Sequence, residues 1–264
     1  MAAEHRAITA RDGATIAYTV FAGAEPASVI LHGLAGSSNE FVPTATALAP
    51  RRMILVDQRG HGASTRTPAD VSRLAFVDDV VRVIEAEGHE PVDLVGQSMG
   101  AHTAMLVAAH RPDLVRRLVV LEGDAGGGSA EDRAAIGSFF RSWPVPFADR
   151  AEARAFLGDG ALARAWAADL EERNDGLHPR FDVDVMVRTL EGMSAPNRRQ
   201  WESVSAPTLV VYADGGMFTE GQKADFVARG RSVARVDRVG ASHDAHLDAF
   251  DEWIAVLGSF LTAE

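Results

Sequence analysis

The chemistry this chain could perform centres on one serine. Gly96-Gln97-Ser98-Met99-Gly100 follows the apolar run Val92 to Val95 and precedes the helix-forming stretch Ala101 to Ala109. A Gly-x-Ser-x-Gly between a strand and a helix reads as a nucleophile elbow. The tight turn lifts the hydroxyl above the strand end and sets it at a helix N-terminus, where developing negative charge is favoured. Glycines flank it because neighbouring backbone comes close to such a turn. A serine hydroxyl is a weak nucleophile at neutral pH, so Ser98 needs an adjacent base. The chain has no cysteine, which excludes disulfides, thiolate catalysis and cysteine-ligated metals. No spacing of histidines and carboxylates suggests a metal site. No Gly-x-Gly-x-x-Gly follows a strand-like run, so no dinucleotide is expected.

The elements that must position Ser98 follow from the apolar pattern. Thr15 to Phe21 reads as a strand, and short apolar runs follow at Ser28 to Leu31, Met53 to Val56, Val92 to Val95, Leu118 to Leu121, Leu209 to Tyr212 and Val233 to Val236. Runs that are apolar on both faces and end in glycine or charge fit parallel strands covered by helices on both sides. Leu74, Val77, Val80, Val81 and Ile84 form one helical stripe, and Leu247, Phe250, Ile254, Leu257 and Leu261 another. This alternation predicts an α/β fold, a doubly wound and mostly parallel sheet. Between about Gly126 and Ser205 the alternation stops. Helical stretches such as Glu152 to Leu157 and Ala161 to Glu172 replace it, with Trp143, Trp166 and Trp201 among them. The expected organisation is a core of residues 1–125 and 206–264 carrying a helical cap over 126–205, entered through Gly126-Gly127-Gly128.

With 26 Lys and Arg against 37 Asp and Glu, the formal charge is -11, which disfavours nucleic acid and anionic membrane as partners. Met1 to Ala10 lacks the apolar segment of a signal peptide, and a cytoplasmic protein is the default expectation.

Further motifs fall in order around the elbow. His32-Gly33-Leu34-Ala35-Gly36 ends an early strand, Asp57-Gln58-Arg59-Gly60-His61-Gly62 ends the next, and Gly240-Ala241-Ser242-His243 follows the last. Together they resemble the α/β-hydrolase family over Val29 to Asp124 and Pro207 to Leu261; the segment between matches the family's variable cap in position and helical character. The resemblance implies Ser98 as nucleophile, His243 as base, and the backbone N–H groups of Leu34 and Met99 as the oxyanion hole. Such a donor is typically worth about 3 kcal/mol of barrier. His32 then reads as a brace for the oxyanion loop, and His61 as a turn residue. The third member departs from the commonest pattern. Gly216, in Ala213-Asp214-Gly215-Gly216-Met217, stands where the family usually has an aspartate. Some members take the acid from the end of the preceding core strand, where this chain has Glu122. Glu122 is therefore the first choice, Asp214 the second and Asp124 the third. The family's epoxide and haloalkane hydrolases use a carboxylate nucleophile, and the serine here argues against them.

These readings imply a hydrolase of a small ester or lactone with an apolar part, needing no cofactor. Trp143, Trp166 and Trp201 are candidates for contact with that apolar part, or for holding the cap together. A carbon–carbon bond hydrolase with the same triad and a non-catalytic ligand receptor are the alternatives, and a homo-oligomer stays open. Activity is expected without added metal and unchanged by EDTA. Reversible loss in chelator, rescued by a divalent cation, would contradict the reading.

Overall fold

A computed structural model of the chain describes residues 3–88 and 90–263. Its strands are β1 (Ala3–Thr9), β2 (Thr15–Phe21), β3 (Ala24–Leu31), β4 (Arg51–Val56), β5 (Val92–Gln97), β6 (Val115–Leu121), β7 (Glu171–Arg173), β8 (Gly176–His178), β9 (Thr208–Gly215) and β10 (Val233–Ser242). All but β7 and β8 form one sheet in the order β1-β2-β4-β3-β5-β6-β9-β10. From β4 to β10 neighbouring strands are parallel; β2 runs antiparallel to β1 and β4. Strand order reverses between β3 and β5, and ligands of open α/β sheets bind beyond the strand C-termini at such a switch point. The loops carrying His32 to Gly36, Ser98, Glu122 and His243 all leave from that edge.

The α-helices are α1 (Val42–Ala47), α2 (Arg73–Ala86), α3 (Met99–His110), α4 (Ala130–Arg141), α5 (Arg150–Leu157), α6 (Ala161–Asp169), α7 (Val183–Gly192), α8 (Arg198–Ser203), α9 (Glu220–Arg229), α10 (Ala245–Asp248) and α11 (Phe250–Thr262). Along the central strands alternate residues enter two cores. Leu118, Val120, Val210 and Tyr212 join side chains of α2, α3, α8 and α9. Val119, Leu121, Leu209 and Val211 join Phe41 and Trp253, Leu257 and Leu261 of α11. This two-sided burial is why the strands read as continuous apolar runs.

Several expectations need correction. Ala3–Thr9 is a strand with no buried residue, so its pattern carried no apolar signal. β10 is an edge strand, largely unburied, rather than covered on both faces. Of the predicted stripe on α2, Val77, Val80, Val81 and Ile84 are buried, but Leu74 is 64% exposed, and Arg73 and Phe76 are buried as well. The helix predicted to reach Glu172 stops at Asp169, because Leu170 takes an extended conformation and the chain enters the β7–β8 hairpin.

Trp201 packs in the sheet core, apart from the cluster that holds Trp143 and Trp166. On α8 it stacks on Phe226 with ring centroids 4.2 Å apart, donates Nε1 to the Phe226 carbonyl at 2.7 Å, and is 1% exposed within the core behind α3. Truncating a packed tryptophan costs about 3–5 kcal/mol. Trp201→Ala is therefore expected to lose that much in urea unfolding while the folded fraction keeps its KM; a changed KM with intact stability would return Trp201 to the substrate.

Candidate active site

The elbow is built as its glycines require. A methyl at Gly96 would stand 2.3 Å from the Gly100 carbonyl, and one at Gly100 would stand 2.3 Å from the Leu31 carbonyl. Both contacts are prohibitive, so only hydrogen fits where α3 crosses the sheet. Ser98 sits between them with φ 53° and ψ −117°. Its N–H donates to the Leu121 carbonyl at 2.9 Å, tying the turn to β6. Among the described residues, the non-glycine positions with positive φ are Ala35, Ser98 and Glu122. All three follow strand C-termini around one point. Such conformations cost about 1–3 kcal/mol each and persist where surrounding contacts impose them, typically at functional sites.

Glu122 is fully buried. Its carboxylate accepts from Ala213 N–H at 2.7 Å and Met217 N–H at 3.1 Å, and its Oε2 lies 3.0 Å from His243 Nδ1. Burial pushes the carboxyl pKa up; the hydrogen bonds with His243, Ala213 and Met217 outweigh it and hold the pKa below its ordinary value. Glu122 is thus ionised at neutral pH. A donor from Nδ1 leaves Nε2 as the lone-pair nitrogen, and Nε2 makes no hydrogen bond among the described residues.

Gly216 explains why Glu122 fits. A methyl added at Gly216 would lie 2.3 Å from both Glu122 carboxylate oxygens. The Glu122 carboxylate thus fills the space a side chain at position 216 would need. The other carboxylates are held elsewhere: Asp214 is exposed and accepts from Gly215 and Gly240 N–H, each at 2.9 Å, and Asp124 accepts from Gly126 N–H at 2.8 Å.

Gln97 carried no sequence signal beyond its place beside Ser98. It is 2% exposed, and its Nε2 donates to the His243 carbonyl at 3.2 Å and to Asp244 Oδ1 at 3.3 Å. It thereby joins the elbow to the histidine loop. On the other side, a methyl at Gly33 would meet Gln97 Oε1 at 2.1 Å and Ser98 Cβ at 3.5 Å, so the Gly33–Leu34 segment lies directly over the serine. The N–H groups of Leu34 and Met99 are committed to no acceptor among the described residues.

That loop is braced by buried polar groups. His32 bonds the Gly33 carbonyl through Nδ1 at 2.7 Å, and Gln58 N–H donates to its Nε2 at 3.1 Å. Burial lowers the His32 pKa to about 4, so the ring is neutral and its tautomer is fixed. Asp57 accepts from Ser38 and Ala63 N–H at 2.7 and 2.9 Å. His61, its pKa lowered to about 3 by burial, bonds the Arg59 carbonyl at 2.9 Å.

Trp143 and Trp166 belong to an aromatic cluster between β6 and β9, with Phe140, Phe147 and Phe181, that packs against Ala35 and Leu34 of the loop after β3. Their ring centroids are 5.4 Å apart. His246, three residues after His243, is buried and stacked on Phe41 at 4.4 Å.

The fold and this constellation define a class. A family model described as "alpha/beta hydrolase fold" matches residues 26–250. The chain belongs to the α/β-hydrolase family and is a hydrolase. It is 30% identical over 254 residues to the mouse sn-1-specific diacylglycerol lipase ABHD11, covering 89% of this chain and 81% of that protein. It is 27% identical over 207 residues to the 2-(acetamidomethylene)succinate hydrolase of Mesorhizobium japonicum, covering 72% and 70% of the two chains. The crystal structure of an E-2-(acetamidomethylene)succinate hydrolase superposes with a TM-score of 0.90 at 23% identity over 99% of this chain and 100% of that one. The enol-lactonase of Burkholderia xenovorans LB400 superposes at 0.81 with 20% identity, over 98% and 100%. No helix among the described residues is long and apolar enough to cross a membrane.

An amide in place of a carboxylate that orients a base histidine favours the wrong tautomer, a change that costs about 10⁴ in turnover in the serine-protease triad. Glu122→Gln is expected to lose several orders of magnitude in kcat, with Asp214→Asn and Asp124→Asn close to wild type. A crippled Asp214→Asn beside a mild Glu122→Gln would reverse the assignment.

Proposed function

We propose that the protein hydrolyses a carboxylic ester or lactone through an acyl-enzyme on Ser98. The observation that carries this reading is the 3.0 Å bond between His243 Nδ1 and the buried Glu122 carboxylate, on a loop that Gln97 ties to the elbow of Ser98. His243 Nε2 takes the Ser98 proton as the hydroxyl attacks the substrate carbonyl. Glu122 keeps the imidazole in the tautomer that leaves Nε2 free and stabilises the imidazolium that forms. The N–H groups of Met99 and Leu34 receive the oxyanion, that of Met99 aided by the N-terminus of α3. His243 then protonates the leaving alcohol. Water, deprotonated by the same nitrogen, releases the acid and restores Ser98.

An apolar acyl or alcohol part is supported by the aromatic and aliphatic side chains of the inserted segment, Trp143, Trp166, Leu170 and Phe181, that pack beside Ala35. The name of the mouse relative, a lipase, is in keeping with an apolar ester. The inserted segment acts in this reading as a cap over the serine.

Loss of a triad nucleophile typically costs about 10⁶ in turnover. A fluorophosphonate probe should label the wild-type chain at Ser98, and Ser98→Ala should fold normally, resist the label and lose turnover of short p-nitrophenyl esters by that order. Near-wild-type turnover in folded Ser98→Ala would sink the reading.

A further inference from the structure

Arg73, in the first turn of α2, is buried, and burial unrelieved by any opposite charge pushes its pKa down to about 9. The guanidinium lies 4.3 Å from the centre of the Phe76 ring. Its Nε and Nη1 find no acceptor among the described residues. Its Nη2 donates to Thr103 Oγ1 and reaches the Met99 carbonyl at 3.5 Å. A buried cation without a counter-charge costs stability, so its presence calls for another reason.

The reason lies in what Thr103 touches next. Thr103 Oγ1 is 3.0 Å from the Met99 carbonyl and 2.9 Å from Gln58 Oε1. Gln58 Nε2 donates to the His32 carbonyl at 2.6 Å, and Gln58 N–H donates to His32 Nε2 at 3.1 Å. Thr103 and Gln58 are both buried. A guanidinium only donates. The Thr103 oxygen must therefore accept from Arg73, and its single proton must pass to Gln58 or to Met99. This order sets the Gln58 amide with Oε1 towards Thr103 and Nε2 towards the His32 carbonyl. The chain of bonds thus ends on two segments: Met99 at the start of α3, and His32 to Leu34 after β3. The same two segments touch directly, for a methyl at Gly100 would stand 2.5 Å from the His32 carbonyl.

We propose that Arg73 is a positioning residue for the oxyanion hole: through Thr103 and Gln58 it holds the N–H groups of Met99 and Leu34 at the spacing that one oxygen requires. This rests on the hydrolase reading above and deepens it, since it gives a role in the reaction to a buried cation that the triad leaves unused. Misplacing a catalytic group by about 1 Å can cost about 10²-fold in rate.

The test uses Arg73→Met, Arg73→Lys and Thr103→Val in the full chain, with p-nitrophenyl acetate and its thiono analogue, in which sulfur replaces the carbonyl oxygen. Sulfur is larger and accepts hydrogen bonds weakly, so the thiono ester gains little from the oxyanion donors. Arg73→Met and Thr103→Val should lose about 10- to 100-fold in kcat on the oxo ester with KM changed by less than about threefold, and the ratio of oxo to thiono kcat should fall with it. Arg73→Lys keeps a charge and a donor and should recover part of the loss. The urea midpoint of Arg73→Met should stay at or above that of the wild type, because an apolar side chain replaces an unpaired buried cation. Wild-type kcat in Arg73→Met, equal losses on the two esters, or losses that follow the folded fraction overturn the proposal. A second readout does not depend on turnover. Backbone hydrogen exchange over residues 32–36 should quicken in Arg73→Met and Thr103→Val while that of β6 stays; unaltered exchange overturns the proposal. If the wild type hydrolyses neither ester but the exchange responds, the esterase reading falls and the link from Arg73 to the loop stands. Should Arg73→Met fail to fold, Thr103→Val decides by the same measurements.

Discussion

A buried carboxylate must be met by donors, and Glu122 meets its requirement with three groups from two other stretches of the chain. Ala213 N–H comes from the end of β9, Met217 N–H from the turn that follows, and His243 Nδ1 from the loop after β10. One charge therefore ties the end of β9 and the loop after β10 to the end of β6. The arrangement needs room, which Gly216 leaves, and a positive φ at Glu122 itself. An isolated ionised carboxylate in such a place would neutralise rather than stay charged. The low pKa of Glu122 reflects how completely these partners replace water.

The same logic of polar groups spent on backbone runs beneath the serine. His32 and Gln58 hold the turn that carries Gly33 and Leu34, Asp57 ties down the two loops beside it, and Gln97 joins the elbow to the carbonyl of His243. These contacts are what keep Ala35, Ser98 and Glu122 in conformations that the backbone resists. The N–H groups of Leu34 and Met99 and the Nε2 of His243 make no hydrogen bond among the described residues. Backbone strain is concentrated where a reacting carbonyl would sit, while the strands behind pack mainly through apolar side chains, with Asp93 of β5 paired to Arg51 and Arg116.

The tryptophans divide by the same criterion. Trp201 has its N–H bonded and its ring stacked, and it is a core residue. Trp143 and Trp166 have theirs unbonded, in the cluster that packs against Ala35. Burial alone does not separate the three; the fate of the polar atom does.

By itself the sequence determined the central sheet, because strands buried on both faces must be apolar throughout, and it determined the elbow, because Gly96 and Gly100 stand where no side chain fits. It marked His243 by order and motif, and it marked Glu122 by the glycine at position 216. It could not mark β1 or the β7–β8 hairpin. Edge and surface strands are held by backbone hydrogen bonds that leave no apolar trace. It placed Val77, Val80, Val81 and Ile84 on the buried face of α2, but not Leu74: in the first turn of a helix the packing neighbours, not the period, decide what is covered. Only the tertiary structure decided which carboxylate reaches the imidazole. Glu122, Asp124 and Asp214 all follow core strands, and their selection depends on side-chain direction and on which donors wait at the end of β9. Only the tertiary structure separated Trp201 from its neighbours in sequence, since aromatic residues look alike along a chain until their N–H groups find a partner or fail to.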